Sequence, residues 1–141
     1  MGNDGITAPQ GFRAGAAACG IKADGRLDVG VVVADEPCAA AAVFTTNRLC
    51  GCPVTVGREH MRRGRLRALV VNSGCSNVAT GERGLQDART MCDLVAAEVG
   101  CFREQVLPSS TGLIGAFLPM GKVRDGIAAA LAGLSYSAAS G

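Results

Sequence analysis

The clearest periodicity in the chain is helical. Leu85, Ala88, Cys92, Val95 and Val99 recur at spacings of three and four, so one face of that segment is apolar. Gln86, Asp87, Thr90 and Asp93 fall largely elsewhere and are expected to face water. Thr80 stands where an N-cap belongs, and Gly100 where a left-handed C-cap belongs. A second helix is expected after Pro119, with Met120, Val123, Ile127 and Leu131 on one face. Upstream, short apolar runs bounded by turn residues predict strands. Residues 27–34 are β-branched and are expected to end at Asp35-Glu36-Pro37. Residues 41–45 and 53–56 read as two short strands, 58–63 as a brief helix stopped by Gly64, and 66–71 as a buried strand. Residues 105–108 give a fifth strand candidate, and 11–24 reads as extended up to a turn at Asp24-Gly25.

Strands and helices are thus mixed without regular β-α-β alternation. The fold class this predicts is α+β, a layered sandwich of mixed β-sheet and helices. Composition supports a packed domain, with 48% of the 141 residues hydrophobic and 18% charged. The 20 glycines imply tight turns and close backbone approaches. A formal charge of +2 argues against nucleic acid as a partner, and the cluster Arg62, Arg63, Arg65 and Arg67 reads as a solvated turn. No run approaches the roughly 20 apolar residues of a membrane span, and residues 1–7 lack the apolar core of a signal peptide. A cytoplasmic protein with no membrane association is therefore expected, its seven cysteines kept reduced. Cys50 and Cys52 form a Cys-Gly-Cys pair, but no Cys-x-x-Cys occurs and His60 is the only histidine, so no metal site is expected. The small polar end, 135–141, does not read as a finished domain terminus.

Two segments offer chemistry because glycines and small polar residues follow directly on apolar runs. In 72–81, Asn72, Ser73, Ser76, Asn77 and Thr80 supply uncharged hydrogen-bonding groups. On composition alone a turn with a helix cap is the favoured account of them. In 109–115, Gly112 could aim a backbone N–H at a developing oxyanion and the Thr111 hydroxyl could add a second donor. An ordinary strand-exit loop is the alternative. Nucleophile arrangements are poorly supported: no Gly-x-Ser-x-Gly elbow is present, and His60 reads as a surface helix residue. Cys75 is the best-placed thiol but has no evident base.

Several strings then combine in order: Ile6 to Arg13, Gly20-Ile21-Lys22, Ala42 to Asn47, Arg58-Glu59-His60, Val70 to Gly74, Asn77, Thr80-Gly81, Asp87-Ala88, Ser110 to Gly115, and Leu118-Pro119-Met120. The set resembles the ornithine acetyltransferases from about Ile6 to Leu131. The resemblance implies a fold shared with β-peptidyl aminopeptidases. It also implies transfer of an acetyl group from N2-acetyl-L-ornithine to L-glutamate in arginine biosynthesis, by a ping-pong route through an acyl-threonine. The family's precursor cuts itself before that threonine, giving α and β chains that stay together. Its α-chain Thr-Gly pair forms the oxyanion hole and falls here on Thr111 and Gly112. The Met-Ala-Thr-Met-Leu segment that carries the nucleophile is absent. Residues 1–141 are accordingly expected to be the N-terminal, α-chain portion of the domain, inactive alone and completed by a β chain in an αβ hetero-oligomer. No cofactor is implied, with acetyl-CoA an alternative acetyl donor. Cys75 stands where the family usually has asparagine, and Pro108 where it has a small residue. A noncatalytic module that kept the fold, or an aminopeptidase-like hydrolase, are the competing readings.

Overall fold

The computed structural model describes residues 5–136, so residues 1–4, and 137–141 of the polar end, lie outside the described residues. Strands β1 (Phe12–Ala17), β2 (Val29–Ala39), β3 (Arg65–Cys75) and β4 (Val106–Leu113) form one sheet in the order β1-β2-β3-β4. Helices α1 (Cys52–His60), α2 (Gly81–Val99) and α3 (Met120–Ala132) pack against it. β1, β2 and β3 run antiparallel in turn, whereas β3 and β4 are parallel. A parallel pair needs a long crossover, and α2 lies in it. The outcome is the expected α+β class, with a mixed sheet.

Alternation along the strands decides which face is covered. Val29, Val31 and Val33 of β2, Ala68 and Val70 of β3, and Val106 of β4 are buried with Met91, Cys92 and Val95 of α2 and Val123, Ile127 and Ala130 of α3. The apolar stripes read from the sequence lie on the core side of both helices, with Ala88, Cys92, Val95, Val123 and Ile127 buried and Leu85, Val99, Met120 and Leu131 partly so. Residues one step out of phase, such as Val32, Leu69, Val71 and Leu107, are only half-buried. They occupy the opposite, thinly covered face.

Several local expectations fail for identifiable reasons. Residues 41–45 are not a strand; Val43 is 99% exposed and finds no neighbouring strand. Residues 53–56 are helical rather than extended, because Pro53 falls in the first turn of α1, where its missing N–H has no helical acceptor to lose. The helix expected at 58–63 is the end of α1 plus a 3-10 turn closed by left-handed Gly64. β2 does not stop at Asp35 but continues to Ala39. Its register slips between Val33 and Cys38, and Pro37 sits in the irregular stretch, where no ladder bond is needed. Asp87 does not face water: its side chain is 13% exposed, and burial raises its carboxyl above the usual range although Arg83 at 4.0 Å pulls it down. His60 is buried too, at 3% exposure, with Nδ1–H donating to the Val106 carbonyl at 2.7 Å. Gly100 is the left-handed C-cap of α2 as expected. Thr80 occupies the N-cap position, but its hydroxyl makes no capping bond.

Candidate active site

The carboxyl ends of the parallel strands β3 and β4 lie side by side. Register pairs Asn72 with Ser110, Ser73 with Thr111, Gly74 with Gly112 and Cys75 with Leu113. The two polar segments singled out in the sequence, 72–81 and 109–115, are thereby brought together. Each begins as strand, since β3 runs to Cys75 and β4 to Leu113, and only then becomes loop. Thr111 and Gly112 are residues of an edge strand, rather than of an exit loop.

Backbone direction on β4 alternates as on any strand. The Val106 carbonyl accepts from His60 of α1 and, at 3.5 Å, from the Cys92 thiol of α2, so it points away from β3. Seven residues on, the Leu113 carbonyl accepts from the backbone N–H of Ser76, just beyond β3, at 3.0 Å. Even positions of β4 therefore face away from β3, and odd positions face it. Pro108, which has no N–H to offer, falls in the even set. Gly112 falls in the even set as well. Thr111 is exposed beside it, and its hydroxyl bonds to no other described residue.

Gly112 has φ +128 and Gly74, its partner across the pair, has φ +102, both in the region that favours glycine. Contact between the two backbones is close. A Cβ on Gly112 would meet Gly74 C, and would stand 2.6 Å from Cys75 N and 2.7 Å from Gly74 O. On the other side of Gly74, a Cβ would stand 2.8 Å from Ile21 Cγ2 and 3.4 Å from Lys22 Cγ. The segment carrying Ile21 and Lys22 is held by Asp28, a buried carboxylate that sequence reading passed over. Asp28 accepts from the backbone N–H groups of Cys19, Ile21 and Lys22 at 2.8, 2.7 and 3.0 Å. Burial alone would raise the Asp28 carboxyl, but these N–H bonds and the Cys19 thiol outweigh it and hold it at about 2.

That depression has a sign. The folded pKa lies below the unfolded value, so the stabilisation is complete above about pH 4 and is lost as pH falls towards 2. Unfolding free energy measured across this window is expected to drop by roughly 1–2 kcal/mol through Asp28, and Asp28→Asn is expected to flatten that part of the profile. An unchanged slope in the variant would mean that Asp28 is not the titrating group.

Asn77 and Thr80 knit the segment after β3. Asn77, fully buried at φ +51, donates through Nδ2 to the Gly84 carbonyl at 2.8 Å and accepts the Thr80 hydroxyl at 2.6 Å. The Thr80 hydroxyl is thereby committed to a side chain instead of a helix N–H. Cys75 is 4% exposed and donates to the Ala116 carbonyl at 3.2 Å, so it is packed inward and is not presented as a nucleophile. All seven cysteines are free, and burial, with Asp93 adding to it, pushes the Cys92 thiol up to about 12. Among the described residues no cluster of His, Cys, Asp or Glu is arranged to hold a metal ion. Nor is any described helix long and apolar enough to cross a membrane.

A groove of about 350 Å³ runs beside β4, with Phe44, Pro53, Val54, Leu107, Ser109 and Ser110 among its walls. Thr111 and Gly112 stand exposed just past Ser110. Cavities of about 410 and 430 Å³ lie elsewhere, along α2 and α3.

The same mixed sheet with its packed helices recurs in solved ornithine acetyltransferases. The structure of that enzyme from Mycobacterium tuberculosis, complexed with ornithine, superposes with a TM-score of 0.91 at 38% identity, covering 97% of this chain and 74% of that one. The arginine biosynthesis bifunctional protein ArgJ from Bacillus halodurans gives 0.86 at 38% identity, covering 90% and 66%. A profile described as the ArgJ family matches residues 13–141. The chain belongs to the ArgJ family. Arginine biosynthesis bifunctional protein ArgJ of Geobacter sulfurreducens is 46% identical over 125 residues, and that of Methylococcus capsulatus 50% over 125. Each alignment covers 89% of this chain but only 32% and 30% of the relative, so the chain spans about a third of the length of these relatives.

Proposed function

We propose that this chain supplies the oxyanion-stabilising half of an acyltransferase that moves an acetyl group from N2-acetyl-L-ornithine to L-glutamate in arginine biosynthesis. The observation that carries the proposal is the exposed Thr111–Gly112 pair at the end of β4, in a chain of the ArgJ family. Two neutral donors side by side suit an oxygen that gains negative charge only in the transition state.

In this reading the nucleophile is a threonine outside the chain, at the N-terminus of a β chain cut from the same precursor. Its hydroxyl adds to the acetyl carbonyl while its own α-amine takes the proton. An α-amine has a pKa near 7.7–8.0 in the absence of perturbation, which suits proton transfer near neutral pH. Thr111 and Gly112 hold the resulting oxyanion. Collapse passes that proton to the departing ornithine amine and leaves an acetyl-threonine ester. The glutamate amine then attacks the ester, forms acetylglutamate and restores the threonine. Acetyl-CoA is an alternative donor to the same ester, and no bound cofactor takes part.

Residues 1–141 are then the α-chain portion of the domain, working in the cytoplasm as part of an αβ hetero-oligomer. The thinly covered sheet face around Val32, Leu69, Val71 and Leu107 supports this, since a second layer would bury it. The test is to assay acetyl transfer from acetylornithine to glutamate with the chain alone and with the chain plus its downstream portion. Turnover is expected only from the assembled protein, because donors without an attacking group give little rate. Robust turnover by the chain alone, abolished in Cys75→Ala or Ser110→Ala, would put the nucleophile inside it and overturn the proposal.

A further inference from the structure

Thr111 and Gly112 are bracketed by two polar rivets that tie β4 to β3. Upstream, the Ser110 hydroxyl donates to Asn72 Oδ1 at 2.6 Å, and Asn72 Nδ2 donates to the Cys75 carbonyl at 2.8 Å. The Cys75 carbonyl can only accept, which fixes the Asn72 amide orientation and leaves Oδ1 for Ser110. Downstream, the Leu113 carbonyl accepts both the Ser76 N–H at 3.0 Å and the Ser76 hydroxyl at 2.8 Å. Asn72 is fully buried on the face otherwise filled by Ala68 and Val70, an environment that burdens a polar side chain unless it is fully bonded. A valine there would continue the core. The amide instead spans from Ser110 on β4 to the last residue of β3.

We infer that Asn72 and Ser110 are positioning residues for the Thr111–Gly112 donor pair. The inference rests on the oxyanion reading above, and its mechanism is geometric. Gly112 has φ +128 and Gly74 has φ +102, so this part of the ladder departs from regular strand geometry. Ladder bonds alone hold the two strands loosely where the backbone is irregular. The Ser110–Asn72–Cys75 chain fixes β4 against β3 one residue before the donors, and Ser76 fixes it one residue after them. Neither Asn72 nor Ser110 needs to touch the substrate. Ser110 sets where the Thr111 hydroxyl and Gly112 N–H point, and transition-state donors lose most of their effect when displaced by a fraction of an ångström.

The test is a double-mutant cycle in the assembled enzyme, this chain with its downstream portion. Ser110→Ala keeps size and backbone and removes the hydroxyl; Ser110→Thr keeps the hydroxyl. Ser110→Ala is expected to lower kcat by about 10–100-fold with KM for acetylornithine changed less than about twofold, and Ser110→Thr to recover most of the rate. Combined with Thr111→Val, the Ser110→Ala penalty is expected to shrink to a few-fold, since a displaced donor that is already gone cannot be lost again. A purely structural Ser110 would lower the melting temperature and leave kcat of the folded enzyme alone. Near-normal kcat in folded Ser110→Ala, or penalties that multiply in the double variant, beside a crippled Thr111→Val enzyme, would overturn the positioning role alone. A Thr111→Val enzyme with near-normal kcat would remove the oxyanion reading, and the bracket's purpose with it.

Discussion

Thr111→Val in the assembled enzyme is expected to lower kcat by about 10²–10³-fold, roughly 3–4 kcal/mol of transition-state stabilisation, with little change in acetylornithine KM. The substitution is close to isosteric. Thr111 is exposed at the end of β4, and its hydroxyl holds nothing else among the described residues, so little folding free energy is at stake. Valine also favours a strand. Thr111→Ser keeps the donor and is expected to keep much of the rate. The measurement is kcat and KM beside melting temperatures, with wild type as reference. A folded valine variant with near-normal kcat would show that Thr111 donates nothing to the oxyanion, leaving it an ordinary residue at the end of an edge strand.

Gly112→Ala is expected to damage the fold and the rate together, and to be the more destructive change. Two separate terms add. At φ +128 an L side chain is strained by about 1–3 kcal/mol, and the new Cβ would lie 2.6–2.7 Å from backbone atoms of Gly74 and Cys75. Those are not the ends of flexible side chains, so relief requires β3 and β4 to part. A loss of at least about 3 kcal/mol is expected in urea unfolding of the assembled protein, with turnover falling in whatever remains folded. Gly115→Ala is the control. Gly115 also has positive φ, at +81, but nothing lies within 4 Å of an added Cβ, so strain acts there without collision. It should be clearly milder, on the order of 1–2 kcal/mol. If Gly112→Ala and Gly115→Ala were equally mild, the tight Gly74–Gly112 contact would not be present in solution.

Much of the fold could be read from the chain because helical periodicity is local. The stripes of α2 and α3 repeat over 19 and 13 residues, and each buried face was legible before any partner was known. Short apolar runs were less informative. Residues 41–45 have strand character but no strand to pair with, and 53–56 join a helix because a proline in a first turn suits α1 as well as a strand edge. Whether a five-residue run is a strand depends on what lies beside it, which its own residues do not encode.

The candidate donors were legible as residue types, and their setting was not. Thr111 reads as a loop residue because Ser-Ser-Thr-Gly carries little strand propensity. It becomes strand through pairing with residues 38 positions earlier. Asn72 carried a usable signal: it falls in phase with Ala68 and Val70, so simple alternation places an amide on the buried face. His60 had no such cue, since its burial depends on the Val106 carbonyl of a strand 46 residues away.

The parallel pairing of β3 with β4 also sets an order of events during synthesis. Ser110 and Asn72 are separated by 38 residues, and the crossover between the two strands carries α2. A nascent chain that has released β1, β2 and β3 can begin the antiparallel part of the sheet, yet it holds no donor pair of any kind. Bringing the two strand ends together requires β4 to close a long loop, whose entropy is repaid only by the contacts made at its end. Chemistry directed at this end of the sheet would therefore need β4 in place as well as the downstream portion of the protein.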